Sequence, residues 1–325
     1  MRTRFLKVTL AIAGLFFISL GLFLFWAVGK NLPKEASLDI QVKNKAALHA
    51  KDQITILTYN IGHGQGVKIE PTDWRDEDYT RQKMTELTRV IHNVNPDIIS
   101  MQEVDIDSNR THHIDEATWI ADKAHYPYRA CALVWDENYI PYPYWPIKHH
   151  LGKTKSANCI LSRYPLSNHR RILFKKPKNN AFWYNWAYLE RGAQLVEVTV
   201  GEKHFTLLNL HLEAFDADSR QEQAHELVSL LNTLEGPVVF GGDFNSDDSA
   251  PDYRQDQTLK IIRKGIPAFT EAPLAGFSFP ANKADQRLDA LFAFGGATLL
   301  NGHVVNEAGL ASDHLPVLGL VTFQK

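Results

Sequence analysis

The feature that most restricts this chain is an uncharged run of apolar and small residues from Val8 to Val28. About 20 such residues, rising 1.5 Å each in a helix, match a hydrocarbon core roughly 30 Å thick. Arg2, Arg4 and Lys7 precede the run. Trp26 stands near its far end, where an amphipathic ring suits the lipid–water boundary. A cleaved secretory leader has a shorter apolar core, about 7–15 residues, and a small-x-small cleavage site. This run ends Phe25-Trp26-Ala27-Val28-Gly29, a poor cleavage site, with no cysteine directly after it for lipid attachment. The reading is a transmembrane signal anchor over residues 8–28, with a basic cytoplasmic flank at 1–7. The positive-inside rule then puts everything after Lys30 outside the cytoplasm.

Residues 29–53 are polar and mixed in charge, with Pro33 early, and read as a linker. From Ile54 to Lys325 the pattern is continuous, without an internal repeat or a second linker, which gives one domain over 54–325. A formal net charge of −2 supplies no global positive field to recruit a polyanion, although a local basic groove remains open. Two cysteines, Cys131 and Cys159, are too few for a disulfide framework and lack zinc-site spacing. The expectation is two buried core thiols, with a single disulfide as the alternative for an extracytoplasmic domain.

The strand candidates matter for how they end. Ile54 to Tyr59 runs into Asn60, and Asp97 to Met101 into Gln102 and Glu103. Phe205 to Leu210 runs into His211, and Pro237 to Gly242 into Asp243, Phe244 and Asn245. Four short β-prone runs that each stop at an amide, carboxylate or imidazole imply a site at a shared end of the fold. Between them, Met84, Leu87, Ile91 and Val94 recur at helical spacing from about Tyr79 until Asn95-Pro96. A second helix opens on Ser219 and Glu222, spaced as a capping box, continues through Leu227, Leu231 and Leu234, and ends at Gly236. Val200-Gly201-Glu202-Lys203 reads as a hairpin turn. Parallel-type units mixed with hairpins point to a sandwich of sheets covered by helices.

Glu103, Asp313, Asn60 and Asn245 offer hard oxygen donors, which suit Mg²⁺, Mn²⁺ or Ca²⁺ better than zinc. His211 and His314 handle protons near neutral pH. Asp243 lies two residues before Asn245, so strand alternation would point both into one pocket. Asn60 in ILTYNIG, Glu103 in DIISMQEVD, His211 in LLNLHLE, Asp243 and Asn245 in VVFGGDFNS, Asp289 in RLDALF and Asp313-His314 in SDHLPV come in one order. Together they resemble the motif set of the endonuclease/exonuclease/phosphatase superfamily, over about residues 54 to 323. That superfamily includes pancreatic-type deoxyribonucleases, abasic-site endonucleases, inositol polyphosphate 5-phosphatases and neutral sphingomyelinases.

The resemblance implies an α/β fold: a four-layer sandwich of two packed mixed sheets flanked by helices, here preceded by one transmembrane helix. It also implies roles. Glu103 is the principal metal ligand, assisted by Asn60 and Asp313. Asp243 activates the attacking water, and Asn245 positions the water or the phosphate. His211 donates to a phosphoryl oxygen, and His314, oriented by Asp289, stabilises the transition state. Asn158 in SANCILSRYP is a phosphate contact or a structural hydrogen bond. Arg191 binds phosphate or pairs with its neighbour Glu190. Arg220 and Glu213 read as structural, and His112-His113 and His149-His150 as loop residues without a third ligand.

One fold hosts many substrates, so the choice falls to the surroundings of the site. Tyr139 to Pro146 and Ala181 to Tyr188 are aromatic-rich, and Lys175-Lys176-Pro177-Lys178 is basic. Such rings serve an interfacial lipid contact, a base-stacking platform or simple loop packing. A membrane tether raises the local concentration of lipid head groups. The leading expectation is a metal-dependent phospholipid or sphingomyelin phosphodiesterase. A surface-anchored endonuclease or exonuclease comes second. A catalytically inactive membrane-tethered binding protein comes third, although none of the metal or base positions is substituted. No protein partner is inferred.

Overall fold

The computed structural model describes residues 2–29, 31–43, 51–67, 76–247, 256–273 and 275–324. Among these residues six α-helices and fourteen strands follow in chain order. The first half holds α1 (Arg2–Ala27), β1 (Glu35–Ser37), β2 (Gln41–Val42), β3 (Gln53–Asn60), α2 (Glu77–Val94), β4 (Ile98–Asp105), α3 (Glu116–Lys123), β5 (Tyr128–Ile140), β6 (Gly152–Ser162) and β7 (Leu166–Leu173). The second holds α4 (Phe182–Ala187), β8 (Gly192–Val200), β9 (Lys203–His211), α5 (Ala217–Leu231), β10 (Val238–Asp243), α6 (Thr258–Gly265), β11 (Thr270–Ala272), β12 (Asp289–Phe294), β13 (Ala297–Val304) and β14 (Val317–Phe323).

Two seven-stranded sheets form, ordered β1-β7-β8-β9-β10-β12-β11 and β13-β14-β3-β4-β6-β5-β2. Each is antiparallel except for one parallel pair, β9–β10 in the first and β3–β4 in the second. A parallel pair needs a long crossover, and a helix supplies it in both cases, α5 and α2 respectively. Ile56, Met101, Val198, Leu207, Val239 and Leu291 belong to a core that draws on both sheets and on α2 and α3. Leu208, Leu210, Phe240 and Phe292 pack instead with Leu227, Leu231 and Ile262 of α5 and α6. Alternation along β9 explains the division, since neighbouring residues face opposite sides of the sheet. The four-layer α/β sandwich expected from the sequence is thus the observed fold.

Buried amides cross the sheet interface. Gln102 Nε2 donates to Asn209 Oδ1 (2.6 Å), and Asn209 Nδ2 donates to the Met101 carbonyl (2.9 Å) and to Gln194 Oε1 (3.2 Å). All three side chains are fully buried, so each unmade bond would cost the desolvation of a polar group. The network ties β4 to β8 and β9.

α1 is long and apolar enough to cross a membrane, and its sides are apolar and exposed nearly all round. Several local expectations need correction. Part of the expected linker is built into the sheets, because β1 pairs with β7 and β2 with β5 at the two edges. Strands of two or three residues leave too short a pattern to read; residues 44–50 of that linker lie outside the described residues. The N-cap of α5 is Asp216, whose side chain accepts from Ser219 N, so Ser219 is inside the helix; the helix ends at Leu231, capped by Asn232, and not at Gly236. Cys131 and Cys159 are directly opposed on β5 and β6 and form a disulfide, in place of two core thiols. α2 and the β8–β9 hairpin lie where the sequence placed them, with Asn95 in left-handed conformation closing the helix.

Candidate active site

The two parallel crossovers build the site. β3 ends at Asn60 and β4 runs through Glu103; β9 ends at His211 and β10 at Asp243. All four leave the carboxyl ends of parallel strands, where open α/β sheets gather ligand-binding groups. Register completes the first set, because Asp243 is paired with His211 on one side and with Asp289 of β12 on the other. Gly242 makes the close spacing possible, since a Cβ there would lie 1.9 Å from the Leu210 carbonyl oxygen of β9. Glu103 falls inside a bulge of β4 opposite β6 and has positive φ (54°), a conformation that costs energy in a non-glycine residue and re-aims its side chain.

Asp243 sits at the centre. Its Oδ2 accepts from Asn60 Nδ2 (2.9 Å), and His211 Nε2 and His314 Nε2 stand 3.4 and 3.7 Å from the same oxygen. Burial and the Asp289 charge push its carboxyl up to about 7, against the pull of His314 and the bond from Asn60. An acid with this affinity takes and returns a proton near neutral pH. Asp289 Oδ2 pairs with His314 Nδ1 at 2.8 Å, both buried. Burial disfavours the imidazolium, but Asp289 and then Asp243 outweigh it and push His314 up to about 10. The turn bearing Asp313 and His314 is tied down by Ser312 Oγ, which donates to the Asn60 carbonyl (2.8 Å).

Glu103 and Asp313 form the acidic wall. Burial raises the Asp313 carboxyl, and the Glu103 charge raises it further. Burial also resists ionisation of Glu103, but His63, His211 and Arg191 hold it well below the usual carboxylate range. Glu103, Asp313 and Asn60 are oxygen donors of the kind that suits a hard divalent cation. Among the described residues the tightest group of metal-capable side chains is a different one, Asp243, Asp289 and His314, whose ligand atoms lie within 4.8 Å of one another. The 2.8 Å Asp289–His314 bond already commits the imidazole Nδ1 and one carboxylate oxygen. Glu103, Asn60 and Asp313 carry bonds of their own, to His63 Nε2 (3.1 Å), from Gly62 N (3.0 Å) and from Ser312 Oγ (3.2 Å) respectively.

Asn245 departs from the expected strand alternation, Arg191 from the pairing with Glu190, and His211 and Asn158 carry specific contacts. Asn245 lies beyond the end of β10 with positive φ (49°), so strand alternation does not govern it, and its Nδ2 donates to the Leu212 carbonyl (3.0 Å). Arg191 does not pair with Glu190, which bridges Lys176 (2.9 Å); its NH1 faces His211 Nε2 at 2.7 Å. With Nε2 accepting from Arg191, His211 carries its proton on Nδ1, and the burial and Arg191 that hold its pKa well below normal keep it neutral. Donation from His211 Nε2 to a phosphoryl oxygen then requires the Arg191 contact to open. Asn158 is buried with Oδ1 unpartnered, while its Nδ2 approaches the Gly192 carbonyl (3.4 Å). Arg220 and Glu213 are structural as read: Arg220 NH1 donates to the Glu213 carbonyl (2.6 Å), and Glu213 Oε1 accepts from Tyr188 (2.7 Å).

His63 was not singled out from the sequence. Its Nε2 lies 3.1 Å from Glu103 Oε2, and its Nδ1 2.9 Å from Arg110, which is buried in a pair with Asp105. The available signal was the glycine-flanked stretch Gly62-His63-Gly64 directly after Asn60. Gly62 has positive φ (54°), and a Cβ there would press on Asp313 Oδ1 at 2.6 Å, so only glycine lets the turn pass under the acidic wall.

Glu103, His63, His211, Asn158 and Arg191 line a cavity of about 840 Å³ together with Tyr142, Tyr184 and other aromatic residues. The family model described as "Endonuclease/Exonuclease/phosphatase family" matches residues 57–314, which takes in nearly every motif of the site. The chain belongs to this family. Its members are generally phosphoester hydrolases, and the two-sheet sandwich is their phosphoesterase fold. Similar solved structures include an endonuclease/exonuclease/phosphatase from Beutenbergia cavernae, 21% identical over 84% of this chain and 72% of that one, with a TM-score of 0.65. One from Bacteroides vulgatus is 17% identical over 84% and 100%, with a TM-score of 0.60. A mannosyl-6-phosphatase from Bacteroides thetaiotaomicron is 17% identical over 83% and 100%, with a TM-score of 0.58. At these identities the likeness speaks for the fold. No curated protein matches the sequence.

Proposed function

We propose that this chain is a membrane-anchored, divalent-metal-dependent phosphoester hydrolase whose substrate is a phospholipid- or sphingomyelin-type phosphodiester. The observation that carries this reading is the cavity, in which Glu103, His63 and His211, with Arg110 and Arg191 beside them, meet walls made largely of aromatic residues such as Tyr142, Tyr184 and Trp186. The basic run offers little to a nucleic-acid backbone. Lys176 bridges Glu190 (2.9 Å), Lys178 bridges Glu222 (2.6 Å), and Lys175 lies 3.6 Å from Glu226. Trp145 and Phe182 are exposed in the same two chain segments as the cavity walls Tyr142 and Tyr184, and the exposed Trp186 and Phe215 line the cavity itself; tryptophan and tyrosine favour a lipid–water boundary. The side chain of Trp183, in the same segment, lies outside the described residues.

Glu103, Asn60 and Asp313 would hold Mg²⁺, or Mn²⁺ or Ca²⁺ in its place. When bound, the ion supplies positive charge to a phosphoryl oxygen. Asp243 takes a proton from the attacking water, whose oxygen bonds to phosphorus as the P–O bond to the leaving group breaks, and the proton then passes from Asp243 to the leaving oxygen, which departs as the alcohol. His314, held as imidazolium by Asp289, faces the charge that grows on the phosphoryl oxygens. Arg191 and Asn158 reach the same space and position the phosphate. The anchor orientation, with the catalytic domain outside the cytoplasm, agrees with the basic N-terminal flank and with the Cys131–Cys159 bond, which persists in oxidising compartments.

The test is turnover of bis(p-nitrophenyl) phosphate by the full chain in detergent with Mg²⁺, Mn²⁺ or Ca²⁺. Turnover that vanishes with EDTA and in Asp243→Asn supports a hydrolase. Absence of turnover with every ion, in a folded protein, would mean that the inactive binding-protein reading holds.

A further inference from the structure

The anchor does more than stand beside the domain. Asn138 Nδ2 donates to the Trp26 carbonyl (2.7 Å), and Gly29 N donates to Glu137 Oε2 (2.5 Å). The Phe23 ring meets Tyr139 edge to face at 5.7 Å, and Ala27 is buried. Asn138, Glu137 and Tyr139 all belong to the far end of β5, the strand bonded to β6 and hence to Asn158. As a result Phe23, Leu24, Ala27 and Val28 line the same cavity as Glu103, His211 and Arg191. The depth is fixed by the sequence: from Lys7 to Val28 a helix rises roughly 30 Å, the thickness of the hydrocarbon core. Leu24 to Val28 therefore end at the outer surface of the bilayer, and the cavity they line opens at that level.

We propose that the last two turns of α1 are a wall of the substrate site, and that the substrate is a long-chain lipid drawn sideways from the same leaflet. Its acyl chains lie against Leu24, Ala27 and Val28 while its phosphate reaches Glu103 and His211. This rests on the lipid reading above and deepens it, since a mere tether would leave the cavity complete without α1. That apolar wall matches an acyl chain in chemistry. It is continuous with a helix already surrounded by acyl chains, and it leads straight to the phosphate-handling groups.

The full chain is reconstituted in nanodiscs of phosphatidylcholine and sphingomyelin with Mg²⁺. Head-group release and hydrolysis of added bis(p-nitrophenyl) phosphate are measured on the same preparation. Leu24→Trp narrows the wall, and Leu22→Trp, at a similar depth on an exposed position outside the cavity, is the control. Leu24→Trp is expected to lower the ratio of lipid to soluble-ester turnover about tenfold, mainly through KM, with the ratio in Leu22→Trp unchanged. A Leu24→Trp ratio equal to wild type, or equal losses in both tryptophan variants, overturns the proposal. If wild type cleaves the soluble ester but no bilayer lipid, the lipid reading fails and this inference fails with it. If wild type cleaves lipid and only the ratio test fails, the lipid reading stands and α1 is a tether.

Discussion

Replacing Asp289 by Asn removes the charge that matters most to His314 while keeping the side chain's size. The carboxylate lies 2.8 Å from His314 Nδ1, both groups are buried, and Asp289 leads the charges that push the imidazole up to about 10. A tenfold change in proton affinity is worth about 1.4 kcal/mol, so the imidazolium is favoured by about 5 kcal/mol over that of a free histidine. Asp243 and Asp313 supply part of that, so losing Asp289 is expected to remove on the order of half, leaving burial free to disfavour the charge. His314 would then lose its proton at least one pH unit earlier. In the full chain, the His314 ring resonance followed by NMR should titrate toward about pH 10 in wild type and clearly lower in Asp289→Asn. The alkaline limb of the pH–rate profile should move with it, so that at pH 9 the variant has lost about tenfold more activity than at pH 6.5. An unchanged ring titration, or a uniform loss at every pH, would refute the argument that Asp289 acts by holding the imidazolium.

The same groups set the pH dependence of stability. His314 binds its proton more tightly folded than unfolded, so its contribution is complete below 6.5 and is lost as pH rises through about 10; Asp243, raised from 3.8 to about 7, loses its contribution between those values. Denaturant melts should show falling stability on the alkaline side, with the slope above pH 7 reduced in His314→Ala. Asp243→Asn removes the proton acceptor and should cut turnover by about 10²–10⁴-fold with an unchanged circular dichroism spectrum. Chelation with EDTA should abolish turnover, and added Mg²⁺ should restore it. Cys131→Ser opens a loop whose ends are 28 residues apart and should cost about 3.6 kcal/mol in a melt without reductant, with no further loss on adding dithiothreitol. Asn209→Leu leaves Gln194 Oε1 unpaired between the sheets and takes one bond from Gln102 Nε2, which keeps Thr58 Oγ1, and should cost about 1–3 kcal/mol for each group left unpaired.

The crossovers were legible because their signals are local and strong. β3, β4, β9 and β10 are short apolar runs, and each reaches a polar residue at or near its end. The α2 stripe and its Asn95 stop follow from helical spacing and from the residue before a proline. What stayed hidden depends on partners distant in sequence. β1 and β2 exist because β7 and β5 offer sheet edges, and nothing in two or three residues announces that. The disulfide follows from the register of β5 on β6. His63 acquires its meaning from Glu103 and Arg110, roughly 40 residues away, and Arg191 from His211 on the neighbouring strand. Asn245 departs from alternation because the strand stops two residues earlier, which a pattern of apolar residues does not mark. The Ser219–Glu222 spacing resembled a cap, but Asp216 stands three residues earlier with the same chemistry.

The most direct measurement offers the full chain, in vesicles of phosphatidylcholine and sphingomyelin with Mg²⁺, both its own lipids and duplex and single-stranded DNA. The account expects release of phosphorylated head group or free head-group alcohol, abolished by EDTA and by Asp243→Asn, with the DNA intact. Cleaved DNA beside untouched lipid would contradict it, and would make this family member a surface-anchored nuclease whose aromatic walls stack bases.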